Sequence, residues 1–427
     1  MAAWLLFIFI LNAFAQPAGN FQWNKNGTVF YSSETGSIVQ HTLPEMKVET
    51  IASSKDLTPE GKISALAIEN FFFSSDYKQI LIYTNSKKVW RYKTRGDYWV
   101  YNTATKKLSQ VGKKFPASSL MFAKFSPDGK MIAYVQQHNI YTEDISNGNI
   151  KQLTFDGTRQ LINGTFDWAY EEEFFCRDGF RWSPDSKKIA YWQIDARHVK
   201  DYLMIDNTDS LYPFVVPVEY PVAGEAPSPF KIGVVSVSGG ATKWMNIPTD
   251  AVLQSYITRM EWMQNSNELI VQHLTRKQNV SDIMVCNAAT GASKNIYHEE
   301  DAAWIDILSL WDEDYSYGGW DWLNNGKEFL WASEKDGWRH LYRISSDGKS
   351  ETLVTKGDYD VMDIDAIDEA SGYVYFAASP ENATQKYLYR TKLDGSGSAE
   401  RLTPANQPGI HNYNLSPTGK FAIHNFS

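Results

Sequence analysis

Residues 125–135 read FSPDGKMIAYV, and residues 182–192 read WSPDSKKIAYW. Each opens on an aromatic residue, makes a Ser-Pro-Asp turn and runs into an apolar stretch with the look of a strand. The frame returns as WMQNSNELIVQ (262–272), WLNNGKEFLWA (322–332) and LSPTGKFAIHN (415–425). Between these lie strand pairs such as LYRISSDGKSETLVT (341–355) and LYRTKLDGSGSAERLT (388–403), offset by 47 residues. No long helical periodicity interrupts the series. A strand–turn–strand unit recurring every ~40–60 residues predicts a β-propeller, in which each four-stranded blade buries its faces only against its neighbours. About 410 residues at about 50 per blade give seven to eight blades, with eight favoured. The spacing is uneven, 57 residues from Phe125 to Trp182 and then 80 to Trp262, so some blades carry insertions. DWAYEEEF (167–174) falls in the first of these gaps and EYPVAGEAPSPF (219–230) in the second.

Composition narrows the function classes. The chain has 427 residues, 43% of them hydrophobic and 14% aromatic, which is ample for a packed all-β core. A formal net charge of −9 with no Lys/Arg run argues against a nucleic-acid partner. The opening MAAWLLFIFILNAFA ends in the small-x-small sequence Ala13-Phe14-Ala15. It reads as a signal peptide over residues 1–15, cut before Gln16, and predicts a secreted or periplasmic propeller over 16–427; an uncleaved membrane anchor is the alternative. Two cysteines, Cys176 and Cys286, leave open one bridge or two buried thiols. Asn26, Asn163, Asn279 and Asn382 sit in glycosylation sequons.

Signals for catalysis and for cofactors are missing. There is no G-x-S-x-G elbow, H-E-x-x-H, Cys-x-x-Cys, phosphate-binding loop or dinucleotide fingerprint, so neither a cofactor nor a metal is expected. The eight histidines are scattered. What remains is the triplet Glu171-Glu172-Glu173 between Trp168, Tyr170 and Phe174. Asp167 is a good N-cap, so the stretch predicts a short helix carried by an insertion. Residues about 100° apart place Glu171 and Glu173 on nearly opposite sides, whereas 171/172 or 172/173 can share one. A shared carboxylate pair with apolar walls would attract a primary ammonium; a solvated acidic turn is the plainer reading.

DWAYEEEF, then FRWSPDSKKIAYWQID (180–195), then EYPVAGEAPSPF together resemble the propeller of the dipeptidyl peptidase IV family. KKVWRYKTRGDYWVYN (87–102) is similar to that family's W-R segment, and SEKDGWRHLYRI (333–344) to its G-[WY]-R-H blade motif. LTPANQPGIHNYNLSPTGKFAIHNFS (402–427) is similar to its last propeller strands, so the likeness spans nearly the whole chain. The resemblance implies that Glu172 and Glu173 hold the free α-amino group of a peptide substrate. It implies that Arg91 bonds a substrate carbonyl; the alternative is that Arg91 is a surface strand residue with Arg95 or Lys93 doing the pairing. Asp195 and Tyr220 read as structural. It further implies a serine-type dipeptidyl peptidase releasing Xaa-Pro or Xaa-Ala dipeptides, with the Ser-Asp-His triad on an α/β-hydrolase domain, covalently continuous or separate. No residue here is assignable to that triad, so this chain alone is expected to be inactive, a fragment or remnant. A homodimer is possible, and a non-catalytic peptide- or protein-binding propeller is the alternative reading.

Overall fold

The computed structural model describes residues 21–252, 254–307 and 320–427; the signal peptide expected over residues 1–15, with its cut before Gln16, falls outside the described residues. Residues 21–52, 255–300, 321–353 and 361–401 each form a four-stranded antiparallel blade in chain order. Residues 70–111 and 120–152 form two more blades, numbered 2 and 3, which share a seam. Strand Tyr92–Asn102 pairs with its hairpin partner Gln79–Val89 and also meets Leu120–Phe125, with Arg95 opposite Met121. Residues 161–244 make blade 4, and residues 411–426 a two-stranded eighth. Among the described residues the molecule is thus a propeller of seven full blades and a partial eighth, as the repeat predicts.

The turns quoted above are what stitch the ring. In two of them, and in the matching turn of blade 2, a serine hydroxyl donates to an aspartate two residues on: Ser126 to Asp128 at 2.7 Å, Ser183 to Asp185 at 2.6 Å, and Ser74 to Asp76 at 2.8 Å. Such a bond closes the turn locally and supplies an acceptor that the turn backbone lacks. The turns then reach one another. Lys25 N donates to the Tyr77 hydroxyl at 3.0 Å, Ser75 Oγ to Pro127 O at 2.8 Å, and Asp128 N to Ser186 Oγ at 3.0 Å. Asp185 N donates to Ser266 Oγ at 3.0 Å, and Asn324 N to Glu369 Oε2 at 2.5 Å. Blade 8 abuts blade 1, where Trp23 Nε1 donates to Asn414 Oδ1 at 2.8 Å across 391 residues of sequence. One face of the propeller is therefore a belt of repeated turns. Because strands alternate in direction, the second hairpin of each blade opens on the opposite face.

Blade 4 departs from the repeat on that opposite face. Its innermost strand is split into Leu161–Asn163 and Phe180–Trp182, both paired with Lys188–Asp195. The residues between them leave the sheet as a loop bearing the helix α1, Trp168–Phe174. Both ends of the excursion are pinned to one residue: Gly164 N donates to Trp192 O at 2.9 Å, and Trp192 N to Gly179 O at 3.0 Å. The two glycines touch, and a Cβ on Gly179 would lie 2.7 Å from the Gly164 carbonyl carbon, so only glycine closes this neck. Blade 4 also extends a hairpin arm, Asp201–Asp206 with Phe214–Glu219, whose Leu203, Ile205, Leu211 and Tyr212 are exposed.

Cys176 and Cys286 are both free and buried, which decides between the two readings of the pair. Burial raises the Cys176 thiol and pushes that of Cys286 up to about 12, so both remain protonated and act as small apolar core groups. Of the four sequons, Asn163 is fully buried and its amide donates to Asp156 Oδ1 at 2.9 Å, which leaves it inaccessible to modification in the folded chain.

Candidate functional site

The helix α1 begins where the sequence says it should. Asp167 is extended, and its Oδ1 accepts from Tyr170 N at 3.1 Å, satisfying one of the helix's free amides. Its other oxygen accepts from the Ser228 hydroxyl at 2.6 Å, which ties the cap to the chain returning from the arm. The helix ends at Phe175 in the left-handed region, with φ 57°. Its apolar side is buried: Tyr170 and Phe174 join Phe166, Trp192, Tyr256 and Ile257 in the core between blades 4 and 5. The Tyr170 hydroxyl accepts from Ile257 N at 3.3 Å, and the Arg259 guanidinium donates to Phe174 O at 3.1 Å. At the foot of the excursion Lys124 of blade 3 holds Asp178 at 2.6 and 2.5 Å and lies 3.9 Å from the Phe180 ring centroid. The helix is short, but both ends and one face are fixed by neighbours.

With the helix fixed, the three glutamates meet three environments. Glu171 turns inward, its side chain 9% exposed, with Oε1 3.8 Å from Arg177 Nε. Glu172 is half-buried and takes the Arg91 guanidinium as a two-pronged pair, Nε to Oε2 at 2.9 Å and Nη2 to Oε1 at 2.5 Å. Glu173 is exposed and, among the described residues, makes no hydrogen bond or ion pair. Its charge reaches the Tyr256 hydroxyl, whose pKa burial raises; Arg276 opposes that shift and Glu173 adds to it. Helical geometry had left 171/172 and 172/173 both open. Here 172 and 173 are the two that face outward, whereas 171 belongs to the interior.

Arg91 arrives from a distance of 81 residues in sequence. It occupies the tip of the blade 2 hairpin, where Val89 pairs with Tyr92 and leaves Trp90-Arg91 as a two-residue turn, Trp90 at φ 54°. Strands of 11 residues carry this tip over blade 3 to the helix. The alternatives fall elsewhere: Lys93 Nζ pairs with Glu69 at 3.5 Å, and Arg95 sits opposite Lys87 in the ladder. Tyr220 packs against Trp168 in a tilted contact with centroids 4.5 Å apart, and Asp195 pairs with Arg197 at 2.6 Å. The sequence reading missed Arg177 and Tyr92. Nothing marks an arginine in Phe-Cys-Arg-Asp-Gly as the partner of an aromatic residue 85 positions earlier.

The electrostatics separate the glutamates further. Burial pushes the Glu171 carboxyl up to about 7; Arg177 pulls it down, and Glu172 adds to the rise. The folded chain therefore holds this proton to about pH 7, while the unfolded chain releases it near the ordinary 4.5. Across that window the folded state binds more protons, so stability falls as pH rises from about 4.5 to 7 and stays lower above it. The difference between about 7 and 4.5 caps the effect at about 3 kcal/mol. Urea midpoints at pH 5 and pH 8 should differ more in the wild type than in Glu171→Gln; equal differences would remove Glu171 from the pH response.

A serine–histidine–glutamate group in blade 1 invites a catalytic reading and fails it. Ser32 Oγ and Glu34 Oε1 lie 3.0 and 2.9 Å from the same nitrogen, His41 Nε2. A relay needs the hydroxyl and the carboxylate on opposite ring nitrogens, and Ser32 is only 1% exposed. The outward face around α1 instead offers two carboxylates and a guanidinium fork, while Tyr170 and Phe174, expected as apolar walls of the pair, are buried beneath the helix.

The comparisons with known proteins agree on the architecture. The profile of the Dipeptidyl peptidase IV (DPP IV) N-terminal region matches residues 74–427. Dipeptidyl aminopeptidase B of Saccharomyces cerevisiae is 26% identical over 380 residues, covering 84% of this chain and 44% of the relative. Inactive dipeptidyl peptidase 10 of Mus musculus is 27% identical over 398 residues, covering 88% and 47%. The crystal structure of Porphyromonas gingivalis dipeptidyl peptidase 4 superposes with a TM-score of 0.84 at 26% identity, covering 96% of this chain and 56% of that one. The chain thus spans about half the length of the relatives it matches.

Proposed function

The chain belongs to the dipeptidyl peptidase IV family through its N-terminal region, and from that premise we propose that it is the substrate-gating, N-terminus-binding propeller of a serine-type dipeptidyl peptidase. Glu172 and Glu173 receive the α-ammonium of a peptide, and Arg91 donates to a backbone carbonyl near the scissile bond. Measuring from the terminus in this way would make the longer protein release Xaa-Pro or Xaa-Ala dipeptides, with the bond cut by a hydrolase domain carrying the triad.

The observation that carries the reading is the Arg91–Glu172 pair beside a carboxylate with no partner among the described residues. Its energetics suit an exchangeable site. The Arg91 side chain is 69% exposed and that of Glu172 29%, and an exposed pair of this kind is worth only ~0–1 kcal/mol. An ammonium between two carboxylates, with a carbonyl on the fork, replaces that pair by several charge-assisted bonds of about 1.5–3 kcal/mol each. The exchange favours the peptide. Titrating the chain with Ala-Pro-Ala and with its N-acetyl twin tests this. The free amine is expected to bind at least tenfold tighter, and equal affinities would overturn the proposal.

A relative whose name carries the word inactive supports the second reading, a propeller that recognises peptides or proteins without cutting them. The same peptide site serves both readings. They separate on whether the longer product hydrolyses an Xaa-Pro chromogenic amide. The exposed apolar residues of the arm further suit contact with a second copy of the chain, for which light scattering should return twice the monomer mass.

A further inference from the structure

We propose that Arg177 is a positioning residue for the Arg91 fork, acting through Tyr92; this rests on the peptide-site reading above. Arg177 lies just beyond α1 and is 4% exposed. Its guanidinium carbon stands 3.4 Å from the centroid of the Tyr92 ring, and its Nε is 3.8 Å from Glu171 Oε1. Tyr92 is the residue after Arg91 and closes the two-residue turn opposite Val89. The tip of the blade 2 hairpin therefore rests on the helix excursion at two points, Arg91 on Glu172 and Tyr92 on Arg177.

The two contacts differ in what a ligand does to them. A peptide that takes Arg91 and Glu172 as partners dissolves the first contact at the moment of binding. The second joins buried Arg177 to half-buried Tyr92 and uses neither Arg91 nor Glu172, so it persists. It keeps the fork at one height above the glutamates in both states, which spares the bound complex the cost of ordering a free hairpin tip. The chemistry needs arginine here. A planar, weakly hydrated guanidinium lies flat on a ring while its edge faces the Glu171 carboxyl, whereas a compact ammonium meets a ring only as a point charge. Glu171, the inner member of the triplet, faces Arg177 at 3.8 Å rather than the outer face.

The test is calorimetric titration of the full 427-residue chain with Ala-Pro-Ala and its N-acetyl twin. Arg177→Gln and Tyr92→Leu should each weaken the free peptide about tenfold, with Arg177→Lys falling between Arg177→Gln and wild type. The preference for the free amine over the acetylated twin should persist, because both outward glutamates remain. The decisive comparison is a double variant. Arg91→Ala with Arg177→Gln should bind no more weakly than Arg91→Ala alone, since no fork is left to position, whereas a general structural role would add its loss. Should buried Arg177→Gln fail to fold by circular dichroism, Tyr92→Leu at the half-buried tip carries the same comparison. A wild type that does not distinguish the two peptides overturns the peptide site and this inference with it. A wild type that does, alongside single variants that match it or a double variant that adds in full, overturns this inference alone.

Discussion

Replacing Glu173 by glutamine should cost the chain about 10- to 100-fold in affinity for a peptide with a free N-terminus and almost nothing for its acetylated twin. Glu173 is exposed and spends no charge on a protein partner among the described residues, so on the proposed reading its carboxylate is the one that receives the ammonium. One charge-assisted hydrogen bond is worth about 1.5–3 kcal/mol, and about 1.4 kcal/mol is tenfold in affinity. Glutamine keeps the shape and one acceptor, so the loss isolates the charge. Glu172→Gln should show a similar loss with a different signature. That variant also releases Arg91, whose two bonds to Glu172 compete with a peptide carbonyl in the empty site. The acetylated peptide should then bind as well as to wild type or slightly better. If both variants bind the free peptide like wild type, neither glutamate takes part, and the helix is a solvated acidic turn.

How far these residues were legible from sequence depends on the range of the interactions that place them. The Ser-Pro-Asp turns are local, with serine and aspartate two residues apart, and they announce the blades wherever they occur. The Asp167 cap and the acidic triplet are local too, so the short helix could be read from eight letters. Geometry alone did not choose among the three glutamates, because the choice depends on what lies beneath the helix. Tyr170 and Phe174 enter the blade 4–5 core and carry Glu171 down with them. The Arg177–Tyr92 contact was not legible. It depends on a hairpin whose strands run 11 residues and lean across a whole blade, and the alternation of Tyr92–Asn102 looks like that of any other strand. The eighth blade was foreseen as a repeat, yet its two strands join the ring through Trp23 and Asn414, a pairing of ordinary residue types without a motif.

The same dependence on what lies beneath makes Trp192→Ala the most damaging single substitution expected in the fold. Trp192 is 1% exposed, stacks edge-on against Phe166 at 5.2 Å, and donates its indole hydrogen to Ile257 O of blade 5 at 2.9 Å. Its backbone also holds both ends of the α1 excursion. Removing the ring opens a cavity at the seam between two blades, for which Trp-to-Ala changes cost about 3–5 kcal/mol. It also strands a buried carbonyl, whose lost bond contributes a further ~1–3 kcal/mol where no water enters. Set against a typical total of about 5–15 kcal/mol, this is a large share of the fold's stability. Trp192→Phe keeps most of the volume and loses only the donor, so it should fall well short of that. Trp338→Ala, at a residue 39% exposed, should stay within about 0.5 kcal/mol of wild type. Urea midpoints order the three. A Trp192→Ala midpoint close to that of Trp338→Ala would mean that the seam is not what holds α1. If the seam does hold it and α1 carries the proposed peptide site, Trp192→Ala should also weaken the free-amine peptide, although the indole is only 1% exposed and lies in the core beneath the helix. The placement of Glu172 and Glu173 on the outer face is then a property of the aromatic packing beneath α1 as much as of the glutamates themselves.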